Sequence, residues 1–244
     1  MMDYYRPSYR TRGPLASFVA RTPPATRILI LACLGVGGLQ GIVRLASGDG
    51  LAYALLLRLF GLTPYLFIHG YIYQAVSYLF LHGGLWHLLF NLLTLWMFGS
   101  EMERYWGTRR FLIYYAVCGV GAALTTVAVG PFEPVPTIGA SGAILGLLLA
   151  YGMTFPDRMV LFNFIIPMRA KYFVLVIIVM QIFSFWPYLG SRIAVAAHLG
   201  GMLFGYLYLK RAWRVRDLWA EIRWRVRRRR FRVIDREQGP TNFH

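Results

Sequence analysis

The sequence predicts an all-α membrane protein, a bundle of six transmembrane helices with both termini in the cytoplasm. Three observations carry that expectation. Of the 244 residues, 57% are hydrophobic and only 15% are charged, too few charges to cover a soluble domain. The apolar residues gather into stretches close to the roughly 20 residues that a bilayer core requires of a helix. The Lys and Arg behind the formal net charge of +16 crowd into the two ends and particular loops. That placement fits membrane topology better than nucleic-acid binding.

Taken in order, residues 1–24 form a basic tail with no small-residue cleavage signal after the apolar run that follows, so an uncleaved cytoplasmic segment is expected. Spans are predicted at about 25–45, 84–100, 111–130, 140–156, 171–187 and 193–209, within a membrane domain of 25–210. Residues 46–83 hold short apolar pieces broken by Pro64 and Gly70 and rich in aromatics, the composition of an interfacial segment. Residues 211–244 are a basic, weakly amphipathic cytoplasmic tail, read as a juxtamembrane anchor touching anionic lipid, with no nucleic-acid partner expected.

Orientation follows from the cations. Arg6, Arg10, Arg12, Arg21, Arg27, Arg104, Arg109, Arg110, Arg158, Arg169, Lys171 and the basic residues of 210–236 fall on one side of the six-span arrangement. Only Arg44, Arg58 and Arg192 fall on the other, so the first side is cytoplasmic. Cys33 and Cys118 lie inside apolar runs, which argues against a disulfide framework or a zinc site. No internal repeat supports an inverted-repeat transporter.

With the topology set, polar residues inside spans can be placed by depth. Ser141 opens the fourth span, in Gly139 Ala140 Ser141 Gly142; His198 sits early in the sixth; His87 and Asn91, four apart, share one face near the start of the second. All three spans start from the outer side, so these groups meet in one layer of the outer leaflet. Polar groups there are costly and mark function. A hydroxyl becomes a nucleophile when a neighbouring base takes its proton, and neutral imidazole suits that task. Gly142 and Gly146, and Ala197, Gly201 and Gly205, are small-residue ladders that let helices approach.

A third, acidic member of a triad is not expected, because every Asp and Glu falls in a tail or a loop of this arrangement. The chemistry left is a Ser141/His198 dyad. There is no H-E-x-x-H, no pair of spanning aspartates, and no third ligand beside His82 and His87, so neither metal nor cofactor is expected.

These residues resemble the rhomboid intramembrane serine proteases: Gly139 Ala140 Ser141 Gly142, then Ala197 His198 Leu199 Gly200 Gly201 with Gly205, and His87 Leu88 Leu89 Phe90 Asn91. The resemblance implies a serine-type endopeptidase that cleaves transmembrane segments of other membrane proteins, as a multi-pass protein of a bacterial cytoplasmic (inner) membrane. It implies Ser141 as nucleophile, His198 as base and then acid, and His87, Asn91 and the Ser141 N–H as oxyanion donors. It implies a structural role for Glu103, and sideways entry of the substrate beside the fifth span. Two positions depart from the family pattern: Tyr73 Gln74 stands where many members carry Trp-Arg, and Leu145 stands where some carry an aromatic that stacks on the histidine. The competing reading is a catalytically inactive rhomboid-like protein that binds client transmembrane helices; such relatives usually lack the serine or the histidine, and both are present here.

Overall fold

The computed structural model describes residues 21–48, 50–162, 165–184 and 192–228, with side chains through residue 211. The expected spans begin as α1 (Pro24–Ser47) and continue through α2 (Leu51–Phe60), α3 (Pro64–Ile68), α4 (Gln74–Ser77) and a 3₁₀ turn at Tyr78–Phe80. Next comes α5 (Leu85–Thr94), which runs through a π-helical segment, Leu95–Gly99, into α6 (Ser100–Trp106). Then follow α7 (Thr108–Val129), α8 (Ser141–Thr154), the strands β1 (Met159–Phe162) and β2 (Ile166–Arg169), α9 (Ala170–Ser184) and α10 (Arg192–Arg228). The chain divides into two compact units, Met1–Tyr206 and Leu207–His244; the site lies in the first.

Three helices are long and apolar enough to cross a bilayer, Pro24–Ser47, Thr108–Val129 and Arg192–Arg211, and the pair Gln74–Phe80 and Leu85–Trp106, bent by 100°, would make a fourth. The fourth and fifth expected spans are present as shorter apolar helices, α8 and α9. Fourteen residues make α8 about 21 Å long, short of the ~30 Å hydrocarbon core. The expected end of the fifth span, 185–187, and most of the amino-terminal tail, 1–20, lie outside the described residues, as do 229–244. Helix α10 carries on to Arg228, so the basic segment from 211 to 228 is helical.

The expectation of an all-helical chain needs one correction. β1 and β2 form an antiparallel hairpin between α8 and α9, pairing Met159 with Arg169 and Phe162 with Ile166. The sequence favours it locally. Val160, Phe162 and Ile166 are strand formers, and Pro167 cannot sit in a helix interior without removing a hydrogen bond.

One buried acid ties the amino-terminal end of α1 to the rest. Helix α1 starts on Pro24 and has Pro23 as its N-cap, which offers no side-chain cap. The carboxylate of Glu103 takes that place, accepting hydrogen bonds from Ala25 N (2.9 Å), Thr26 N (2.7 Å) and Thr26 Oγ1 (2.8 Å). It also accepts from Thr108 Oγ1 at the start of α7 (2.8 Å). An anion at two helix N-termini satisfies orphan N–H groups and complements both dipoles. Glu103 therefore stands on a helix, α6, and not in a loop as expected, and its contacts are those of a structural residue.

The segment 46–83 is fixed in a similar way. Helix α2 ends with orphan carbonyls at Arg58, Leu59 and Phe60. Gln74, fully buried, donates from Nε2 to Arg58 O (2.9 Å) and Leu59 O (3.0 Å), while its Oε1 accepts from Thr63 N (3.0 Å). Tyr73 Oη donates to Leu59 O (2.9 Å) and Ser77 Oγ to Phe60 O (2.7 Å). The two residues that depart from the family pattern thus hold this loop themselves. The loop 131–138 is tied to the same segment through Leu62 N to Thr137 O (2.9 Å) and Thr137 N to Leu62 O (2.8 Å). Non-helical backbone at membrane depth requires such protein partners.

Replacing Gln74 with Leu would leave three backbone groups without their partner. Each buried unsatisfied group costs about 1–3 kcal/mol, so Gln74→Leu is expected to lower the unfolding midpoint clearly in an SDS titration of the purified protein. An unchanged midpoint would contradict this account of the loop.

Candidate active site

Ser141 is the first residue of α8, and what sets it there is Gly139. Its φ of +118° is open only to glycine without strain, and its N–H donates to Tyr78 O (2.9 Å). A Cβ at Gly139 would also come 2.7 Å from Cε1 and 2.9 Å from Nε2 of His87. The bare backbone at Gly139 therefore both turns the chain into α8 and makes room for the His87 ring.

Gly142 has a different neighbour. A Cβ there would lie 3.0 Å from the carbonyl oxygen of Ala197 and 2.7 Å from the Ala122 methyl, and a Cβ at Gly201 would overlap the Gly142 carbonyl. Gly146 faces Gly201 O and Cys118. Helices α8 and α10 meet backbone to backbone, as the small-residue ladders led one to expect. At that contact Ser141 Oγ and His198 Nε2 stand 2.7 Å apart.

The other ring nitrogen is occupied as well. His198 Nδ1 lies 2.8 Å from Oε1 of Gln181, which projects from α9. An amide oxygen only accepts, so Nδ1 carries the proton and a neutral ring leaves Nε2 to accept from the Ser141 hydroxyl. Reading the sequence for a third member covered only Asp and Glu, and so passed over Gln181. The signal was there, in the form of a lone amide inside an apolar helix.

His87 is fixed in the opposite tautomer. Gly83 N donates to His87 Nδ1 (3.2 Å), so in the neutral ring Nε2 bears the proton and points an N–H toward Gly139. His82 packs edge-on against it, ring centroids 5.2 Å apart. Asn91 is buried, and its Nδ2 donates to His87 O (2.9 Å), within its own helix. An amide nitrogen carries two N–H groups, and that bond uses one. Ser141, His198 and His87 are brought together; Asn91 lies one turn further along α5 and is bonded to neither Ser141 nor His198.

Beside the pair an apolar groove of about 560 Å³ opens between α5 and α9, lined by Phe90, Met97, Leu145, Leu148, Phe173 and Gln181 among others. Leu145, the second departure from the family pattern, is part of this wall. At the far end of the groove Arg158 pairs with Glu101, and Lys171 donates to Asp157 (2.8 Å). That bond and the Lys171 charge hold the exposed Asp157 carboxyl below its ordinary pKa.

The fold and site define a helical membrane protein with a serine–histidine pair at the start of a short buried helix. The chain belongs to the rhomboid family, the Rhomboid domain matching residues 69–214. It is similar to "Rhomboid protease GluP" of Bacillus subtilis, 32% identical over 143 residues, which cover 58% of this chain and 26% of GluP. It is similar to "Putative rhomboid protease YdcA" of the same species, 32% identical over 140 residues, 57% of this chain and 66% of YdcA. "Rhomboid protease GlpG" of Yersinia pestis is 28% identical over 213 residues, 84% of this chain and 67% of GlpG. The chain thus spans about a quarter of GluP's length and just under two thirds of YdcA's.

Close approach at Gly201 can be tested against a glycine with no such neighbour. Gly201→Ala forces a methyl into backbone and is expected to lower stability by about 1–3 kcal/mol, read as the SDS unfolding midpoint. Gly35, on α1, has nothing within 4 Å of the position of a Cβ, so Gly35→Ala is expected to be neutral or slightly stabilising. Equal effects would contradict the contact.

Proposed function

We propose that this chain is an intramembrane serine endopeptidase that hydrolyses peptide bonds in or near transmembrane segments of other membrane proteins. The observation that carries the reading is the 2.7 Å contact between Ser141 Oγ and His198 Nε2, in a family whose similar members are named as proteases.

Ser141 attacks the carbonyl carbon while His198 Nε2 takes the hydroxyl proton; the C–O bond forms and the carbonyl becomes a tetrahedral oxyanion. The His87 N–H, the second N–H of Asn91 and the Ser141 backbone N–H are the donors offered to that oxygen. Ser141 N is free for the task because the first N–H groups of a helix have no intrahelical acceptor. His198 then passes its proton to the leaving amine as the C–N bond breaks. Water, activated by the same histidine, hydrolyses the acyl-enzyme and restores Ser141.

The substrate enters through the groove between α5 and α9, whose apolar wall suits a transmembrane helix and which ends at the pair. The peptide must unwind there, since a helical carbonyl is already hydrogen-bonded. The chain sits in the membrane through six spans, α8 and α9 included, with both termini cytoplasmic, the orientation that the basic residues favour. A bacterial cytoplasmic membrane is the location that the bacterial relatives support.

Reconstituted in liposomes with a generic single-span substrate, the protein is expected to cut it, with Ser141→Ala and His198→Ala below detection and His87→Ala slowed about 10²-fold. Cleavage retained in Ser141→Ala would overturn the mechanism. Binding of the substrate without cleavage by the unaltered chain would favour an inactive client-binding protein.

A further inference from the structure

The acid census left His198 without an orienting partner, and the family's aromatic at residue 145 is a leucine here. Something else must hold the ring, because a histidine rotates about two side-chain bonds and a neutral imidazole has two tautomers, of which only one presents a lone pair to Ser141. We propose that Gln181 is the positioning residue of the base: its side-chain oxygen fixes both the orientation of His198 and the tautomer in which Nδ1 carries the proton. The inference rests on the reading of Ser141 and His198 as the working pair.

Two features of the structure support it. The Gln181 Oε1 to His198 Nδ1 distance of 2.8 Å and the Ser141 Oγ to His198 Nε2 distance of 2.7 Å load both ring nitrogens at once. The three side chains, from α9, α10 and α8, form a continuous line of donors and acceptors. The two ends of an amide also impose opposite states. With its oxygen toward the ring, Nδ1 is protonated and Nε2 accepts from the hydroxyl; with its NH₂ toward the ring, Nε2 would hold the proton and could not take one from Ser141.

The choice of residue follows from the surroundings. An Asp or Glu in this layer would carry a charge at a cost of several kcal/mol. A glutamine supplies the same directional acceptor while remaining neutral, so the site obtains an oriented base without a buried carboxylate. Gln181 also lines the groove, so the competing account is that it only touches substrate. Binding and turnover separate the two.

The test compares the unaltered chain with Gln181→Leu, Gln181→Asn and Gln181→Glu in detergent. ¹⁵N spectra of histidine-labelled protein, with His198 assigned by its loss in His198→Phe, report which ring nitrogen is protonated. The expected result is a protonated Nδ1 and a bare Nε2 in the unaltered chain and in Gln181→Glu, which keeps an oxygen at the same reach, and loss of that signature in Gln181→Leu and Gln181→Asn. On a transmembrane substrate, Gln181→Leu and Gln181→Asn are expected to lose about 10- to 100-fold in kcat with KM changed by less than about two-fold, and Gln181→Glu to recover most of the loss. Gln181→Asn keeps an amide in place, so it serves if the leucine variant fails to fold.

An unchanged His198 signature in both Gln181→Leu and Gln181→Asn would overturn the proposal, whatever the activity. So would a rise in KM at constant kcat, which would make Gln181 a wall of the groove alone. If the unaltered chain cleaves nothing while the signature is still lost in these variants, the reading of the chain as a protease fails and the positioning of His198 by Gln181 stands.

Discussion

The site depends on two helices touching through their backbones. Gly142 on α8 and Gly201 on α10 are each within contact of the other's peptide groups, and no side chain fits between them. A hydroxyl reaches only about one bond beyond its Cβ, so a serine on one helix can meet an imidazole on another only where the helices come this close. With bulkier residues at these positions the axes would move apart, toward the 8–10 Å spacing of ordinary helix pairs or beyond, and the 2.7 Å contact would be lost.

Everything around that contact supports polar backbone in an apolar setting. Gly139 turns the loop into α8 at a φ of +118° and leaves room for His87. The loop before it is bonded to the segment after α2, which Tyr73, Gln74 and Ser77 in turn hold by the last carbonyls of that helix. At the opposite end of the second span, Glu103 joins the starts of α1 and α7. The polar side chains outside the site thus perform the same task several times: each satisfies helix ends that neither lipid nor the helix itself can satisfy.

Much of this was legible in the sequence, for reasons that can be stated. Ser141, His198 and His87 could be grouped because the order of spans and the side of the cations fix depth, and depth is what brings distant residues into one layer. The small-residue ladders showed which helices would pack. Gln181 was missed because a single amide in an apolar run has no spacing to mark it, and because a charged third member was the pattern sought. Tyr73 and Gln74 read only as departures, since capping another helix's carbonyls depends on where the chain returns in space. The β1–β2 hairpin was hidden for a related reason: a short apolar run between two spans does not reveal its period.

The account turns on Ser141 being the nucleophile and His198 the group that activates it. The most direct measurement is to treat the purified protein with a fluorophosphonate, which phosphonylates activated serines, and to map the adduct by mass spectrometry. The expected result is one adduct, on Ser141, that disappears in His198→Ala while the variant remains folded. An adduct on another serine, or undiminished labelling of Ser141 without His198, would contradict it.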